Sequence, residues 1–309
     1  MYNDTIKVAN KIITYDDLLD IFSFMQEKLM YYKKVYNSEQ MQNKMLDYGY
    51  QKWTFKDSDS SLKFNVNIYD DTNIKFDNYN NFVGIFNNRL HEIKSIWVTF
   101  NISYSATGMN GKNNFYYQRI SMDISEKGIN IDVSLSSEDK KIDDVYELIK
   151  NKILNAREKY DEVIRNKSSI NTTVSFALGF IPSIIICILL LFVPTIRFMF
   201  ASSYVLFPIC CLMLTFVIGG TIASSKLDNL YKPLIPDKKY VGYDSRKGKS
   251  IYKDDIDKFM DTSEILIGKN VDNLKNRQYI MDYYNKYKEY ISYEIIVLVV
   301  VSIFVLFLK

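Results

Sequence analysis

Two long apolar runs on either side of a very short turn constrain this chain more than anything else in it. The first runs from Thr172 to Val193 and the second from Met199 to Ser224, and neither contains a charged residue. Each exceeds the roughly 20 residues that a helix needs to cross a hydrocarbon core of about 30 Å. Only Pro194, Thr195, Ile196, Arg197 and Phe198 separate them. The pattern predicts a membrane hairpin.

Both runs carry a second pattern. In the first, Ser175, Gly179, Ser183 and Cys187 recur every four residues; in the second, Cys211, Thr215, Gly219 and Ala223 do the same. Residues four apart share a helix face, so each helix presents a stripe of small or weakly polar side chains. Folding the hairpin about residue 199 sets Ser175 beside Ala223, Gly179 beside Gly219, Ser183 beside Thr215 and Cys187 beside Cys211. Small stripes let membrane helices approach closely and exchange weak hydrogen bonds. Turned the other way, one stripe faces a subunit interface or a pore in which Ser, Thr and Cys touch water. Spacing does not encode helix rotation, so both arrangements stay open at this level.

About 170 residues precede the first run. The N-terminus lacks the basic-then-apolar shape of a secretory signal, so this part is expected in the cytoplasm. Thr14, with Asp17 three residues on, forms a near capping box, and Leu18, Ile21, Phe22, Met25 and Leu29 follow at helical spacing. Another helix is expected over Ser38 to Tyr48, closed by Gly49. From Gln51 the period drops to two: Leu62, Phe64, Val66 and Ile68 alternate with polar residues, as do Ile96, Val98, Phe100 and Ile102. Further strands are predicted over Phe115 to Ile124 and Ile129 to Leu135, joined by the turn Ser125-Glu126-Lys127-Gly128. Strict alternation means antiparallel strands with one wet face. Asn80 to Ile93 suits a helix through Phe82, Val83, Phe86 and Leu90, or a strand at Phe82 to Phe86. Ser137, with Glu138 and Asp139 in the first turn where the dipole favours acids, opens a helix expected to run to about Arg165.

The fold class is therefore α+β. It comprises a cytoplasmic N-terminal domain of helices plus an antiparallel β meander, followed by an α-helical membrane region of two hairpin spans and a third, C-terminal span. The expected segments are a sensing or binding domain over 1–136, a connecting helix over 137–169 and the hairpin over 170–224. A cytoplasmic basic segment with helices over 225–290 and a third span over 291–309 complete the chain. That last run holds Glu294 near its start, expected at the cytoplasmic interface or, if it lies deeper, as the one acid placed to influence ion passage.

Lys226 to Lys253 contains eight Lys or Arg against three Asp, densest at Lys238, Lys239, Arg246, Lys247 and Lys249. Such an excess marks the cytoplasmic side of a membrane protein and suits anionic lipid at about 1 kcal/mol per basic residue. The same five residues are candidates for a phosphate-bearing ligand. Asp254 to Ile267 and Val271 to Tyr290 are predicted helical, the second with Leu274, Ile280, Tyr284 and Tyr287 as its inner face.

Residue types for familiar chemistry are missing. His91 is the only histidine, and the three cysteines, Cys187, Cys210 and Cys211, all lie in the apolar runs, which excludes a disulfide framework or zinc site. Arg246-Lys247-Gly248-Lys249-Ser250 lacks the first glycine of a phosphate-binding loop, and no serine sits in a Gly-x-Ser-x-Gly elbow. No catalytic, cofactor-binding or metal residues are expected, and the chain is not read as an enzyme. With a net charge of +3 over 309 residues, charge favours no nucleic-acid partner. The abundance of Tyr, Asn, Ile and Lys fits a low-GC bacterial genome.

The layout resembles bacterial immune and toxin effectors that join a cytoplasmic β-rich sensing domain to a few membrane helices. That resemblance implies a homo-oligomeric effector of the cell membrane, multi-pass, in which the sensing domain controls a pore or permeabilises the bilayer. Two or three spans cannot enclose a pathway alone, so this function requires several copies. The alternative is a membrane-anchored scaffold that recruits a cytoplasmic protein partner.

Overall fold

The computed structural model describes residues 2–36, 38, 50–56, 59–108, 110–135, 143–203, 205–235, 238–244 and 249–307. The helix expected over Ser38 to Gly49, apart from Ser38 itself, and the Ser137 cap with Glu138 and Asp139 lie outside them. The chain divides into two units: residues 1–159 with 236–271, and residues 160–235 with 272–309.

The first unit is a sheet covered by helices. Strands β1 (Tyr2–Lys7) and β2 (Ile12–Ile13) precede helix α1 (Tyr15–Tyr36). The capping box forms: the Thr14 backbone N–H and hydroxyl donate to Asp17 Oδ2 at 2.9 and 2.7 Å, and the Asp17 N–H returns to Thr14 Oγ1. This satisfies N–H groups that have no partner within the helix. Strands β3 (Tyr50–Phe55), β4 (Ser61–Ile68) and β5 (Asn73–Phe76) follow. Helix α2 (Tyr79–Arg89), capped by Asn78, buries Phe82 and Phe86 and so resolves the ambiguous stretch as helix. Then come β6 (Ile93–Gly108), β7 (Asn113–Ser125) and β8 (Gly128–Leu135).

The sheet runs β1-β8-β7-β6-β4-β5, with β3 pairing the far end of β6, and every pair is antiparallel. Period-two alternation puts Phe64, Val98, Phe100, Ile120 and Met122 on one buried face. Leu18, Ile21, Phe22 and Met25 of α1 lie against it, with Phe64 and Phe82 stacked at 4.1 Å between ring centroids. Helix α3 (Asp143–Leu154) adds Val145, Ile149 and Ile153 to the same core.

One helix running unbroken to Arg165 is not what forms. After α3 the backbone extends and pairs with the strand edge: Ile12 N–H donates to Arg157 O at 2.7 Å and Lys159 N–H to Asn10 O at 3.0 Å. Asp161 then caps a new turn, α4 (Glu162–Arg165), in the second unit. Backbone pairing outweighs helix periodicity over these residues.

The second unit continues with α5 (Lys167–Leu190), α6 (Pro194–Ser202) and α7 (Leu206–Tyr231). The turn is longer than the charge pattern implies. Pro194 starts α6, and an extended Ser203 ends it before α7 begins. Helices α5 and α7, 24 and 26 residues long, are each long and apolar enough to cross a membrane.

Residues 236–271 rejoin the sheet unit. They form a ribbon of β9 (Lys238–Asp244) and β10 (Lys249–Asp254), a short helix α8 (Ile256–Met260) and β11 (Glu264–Ile265). The helix predicted over Asp254 to Ile267 is thus mostly absent. Ile265 and Ile267 are buried in the sheet core, and β11 pairs in parallel with β2, so tertiary burial overrides local pattern. The second unit ends with α9 (Asn273–Lys288) and α10 (Tyr290–Leu306), the latter 17 residues long.

Candidate functional site

The eight stripe residues come together. Ser175, Gly179, Ser183 and Cys187 of α5 and Cys211, Thr215, Gly219 and Ala223 of α7 are all buried. Gly179 and Gly219 mark the closest approach. A Cβ added to Gly179 would overlap the Thr215 carbonyl oxygen and lie 2.7 Å from Gly219 N. One added to Gly219 would overlap the Ser175 carbonyl and lie 3.0 Å from Gly179 N. Only residues without a side chain permit this backbone contact. The hydroxyls bond within their own helices: Ser183 Oγ donates to Gly179 O at 2.6 Å and Thr215 Oγ1 to Cys211 O at 2.7 Å. The stripe is thus a contact inside one chain, held by packing.

Helices α9 and α10 are almost one helix, since Glu289 between them keeps helical dihedrals. A seam of ten positions, Asn273, Arg277, Ile280, Tyr284, Tyr287, Ile291, Glu294, Leu298, Val301 and Val305, follows alternating steps of four and three, and none of the ten is exposed. Ile280 joins a cluster with Val163, Ile170, Val174, Leu227 and Tyr231. Leu298 and Val305 join another with Phe180, Ile184, Cys187, Phe207 and Cys211. That spacing is the coiled-coil period, here seating α9 and α10 on the hairpin.

Two seam positions are charged, and they differ. Arg277 is only 1 % exposed and pairs with Asp161 Oδ1 at 2.9 Å. The same Asp161 oxygen accepts the Ile164 N–H at the start of α4. A buried charge needs such a partner. Glu294, one turn before Leu298, has a buried carboxylate oxygen, Oε2, with no hydrogen-bond partner among the described residues. Neither Arg277 nor Asp161 stood out in the sequence, yet the four-three spacing through Ile280, Tyr284 and Tyr287 extends back to Arg277 and marks it as inward.

In the sheet unit, residues 263–270 are fastened to the β7–β8 turn through Glu126. Its carboxylate accepts the Lys269 N–H at 2.6 Å and the Tyr69 hydroxyl, and its carbonyl accepts Asn270 Nδ2 at 2.8 Å. Lys269 Nζ lies 4.9 Å from the Tyr69 ring centroid. Gly268, at φ +55, has no room for a side chain, because a Cβ would lie 2.5 Å from both Glu126 Oε1 and Ile93 O. Burial and the Glu126 hydrogen bond push the Tyr69 phenol up to about 12. Sequence gave Glu126 only as a turn residue; its partners come from 57 and 143 positions away.

Of the five basic candidates, Lys238, Lys239 and Lys249 lie on the β9–β10 ribbon, where Lys239 pairs with Lys253 and Lys249 with Asp244 in register. Arg246 and Lys247 lie outside the described residues. Among those residues, no three His, Cys, Asp or Glu side chains gather as a metal site requires. The chain matches no protein-family model, no curated protein and no solved structure.

Proposed function

We propose that the protein is a multi-pass membrane protein with its sheet unit in the cytoplasm, and that this unit senses a signal and governs the helical unit as a membrane effector. Helices α5, α7 and α10 cross the bilayer in this reading. Several copies together open it, since the small stripes pack α5 directly against α7 within each chain. The observation that carries the reading is the chain path. The sheet unit draws residues from both sides of the hairpin, so the backbone passes between the two units at 159–160, 235–236 and 271–272. An anchor needs one such connection; three couple a change in the sheet unit to both the hairpin and α9–α10. The outward apolar surface, including Ile181, Leu189, Met213, Val217, Val300 and Phe304, suits lipid. The basic ribbon suits the cytoplasmic side.

Ion flux through liposomes containing the full-length protein, with its oligomeric mass measured in the same detergent, tests the proposal. Discrete conductance from a defined oligomer is expected. A sealed membrane and a monomer overturn it and favour a second reading, a membrane-anchored module that recruits a cytoplasmic partner. That reading draws on the burial of the stripe inside one chain, which leaves the small residues unavailable for subunit contacts.

A further inference from the structure

The solvent face of the sheet carries a feature that neither the core nor the membrane reading explains. In β6, Trp97 points outward and is 51 % exposed, an unusual setting for a large indole. Register places it directly beside Asn65 of β4, which in turn sits beside Lys75 of β5. One pair along, Lys63 faces Thr99, and Arg119 lies on the adjoining strand β7. These side chains line a shallow cleft of about 450 Å³.

Charge and hydrogen bonding in the cleft are unbalanced. Among the lining residues Lys63, Lys75 and Arg119 oppose one acid, Asp77, which reaches Lys63 only at 3.9 Å and with both groups exposed, while Asp123 of β7 pairs with Trp97 in register. Among the described residues Asn65 Oδ1 has no hydrogen-bond partner although it is buried, and an unpaired buried acceptor costs free energy.

We infer that this face binds a nucleotide. The base stacks on Trp97, and the phosphate sits among Lys63, Lys75 and Arg119. A flat aromatic ring on an open sheet, flanked by cations, is how proteins hold unstacked bases and their phosphates. The cleft volume lies within the range of small-ligand sites. The site belongs wholly to the sheet unit, so it stands or falls separately from the permeabilisation proposed above, whose signal it would supply.

Full-length protein in detergent with Trp53→Phe leaves Trp97 as the sole indole. Titration with adenosine, guanosine, cytidine and uridine 5′-monophosphates should quench its fluorescence saturably, and ribose 5-phosphate should not. Calorimetry on Trp97→Ala should show affinity lower by about tenfold to a hundredfold, the worth of one stacked base. Lys75→Ala and Arg119→Ala, both at exposed positions, should weaken binding and reduce its salt dependence. Absence of saturable quenching by all four nucleotides overturns the inference. So does tighter binding to oligothymidylate that grows with strand length, which would replace the nucleotide by a single strand.

Discussion

Arg277 and Asp161 form an ion pair of 2.9 Å whose side chains are 1 % and 8 % exposed. The pair ties the seam of α9 to the first turn of α4. Replacing one member strands the other. Arg277→Met should cost about 3–5 kcal/mol, read as lost thermal stability of the detergent-solubilised protein. The double variant Arg277→Met, Asp161→Asn keeps a capping side chain and should recover most of that loss. No recovery would mean that the pair's charges are not what stabilises the contact.

Gly179 and Gly219 give a sharper steric test. Gly179→Ala should lower stability by at least the 1–3 kcal/mol typical of overpacking, because backbone atoms, not flexible side chains, occupy the space. Gly220→Ala is the control, since a Cβ there meets nothing within 4 Å, and helix propensity favours Ala by about 1 kcal/mol. Melting temperatures of the two variants should move in opposite directions. Equal effects would contradict the close approach of α5 and α7.

Tyr69 makes a pH prediction. Its phenol ionises near 12 in the folded chain against an ordinary value of 10.0, because of burial and then its hydrogen bond to Glu126. A raised pKa favours the folded state while the phenol is neutral in both states, so this contribution is complete below pH 10. It declines as pH rises from 10 through 12, where the unfolded chain ionises first. Chemical denaturation at pH 9 and pH 11 should therefore show a steeper loss in wild type than in Tyr69→Phe. Parallel losses would remove Tyr69 from the fastening.

Glu294 is expected to trade stability against function. Glu294→Leu makes the α10 part of the seam apolar except for backbone and removes a buried acceptor, a change worth about 1–3 kcal/mol. Thermal stability should rise, and in the proposed effector the liposome flux should fall. A more stable protein with unchanged flux would take Glu294 out of the permeation pathway.

Much of the architecture was legible locally. The Thr14–Asp17 cap, the period-two strands and the small stripes each depend on neighbours within a few residues, where steric and hydrogen-bond rules act directly. The break after α3 was not, because the extended backbone at Arg157 and Lys159 is held by Asn10 and Ile12, some 145 to 149 residues away. Strands β1 and β5 carry no local signal for a related reason. β1 gains its partner only when β8 lies beside it, and β5 is four residues long. The fastening at Glu126 and the ion pair at Arg277 likewise join residues that no spacing rule connects.

Sequence by itself determined α1, the alternating strands β4, β6, β7 and β8, and that two helices are long and apolar enough to cross a membrane. It also set the matching depths of the small residues, because helical rise and a central turn fix them. Tertiary structure alone decided that the stripes face each other, that residues 236–271 return to the sheet unit, and that Arg277 is paired while Glu294 Oε2 is not. Rotation about a helix axis and pairing between distant strands cost little locally. They are settled only when burial and hydrogen-bond satisfaction are summed over the whole fold.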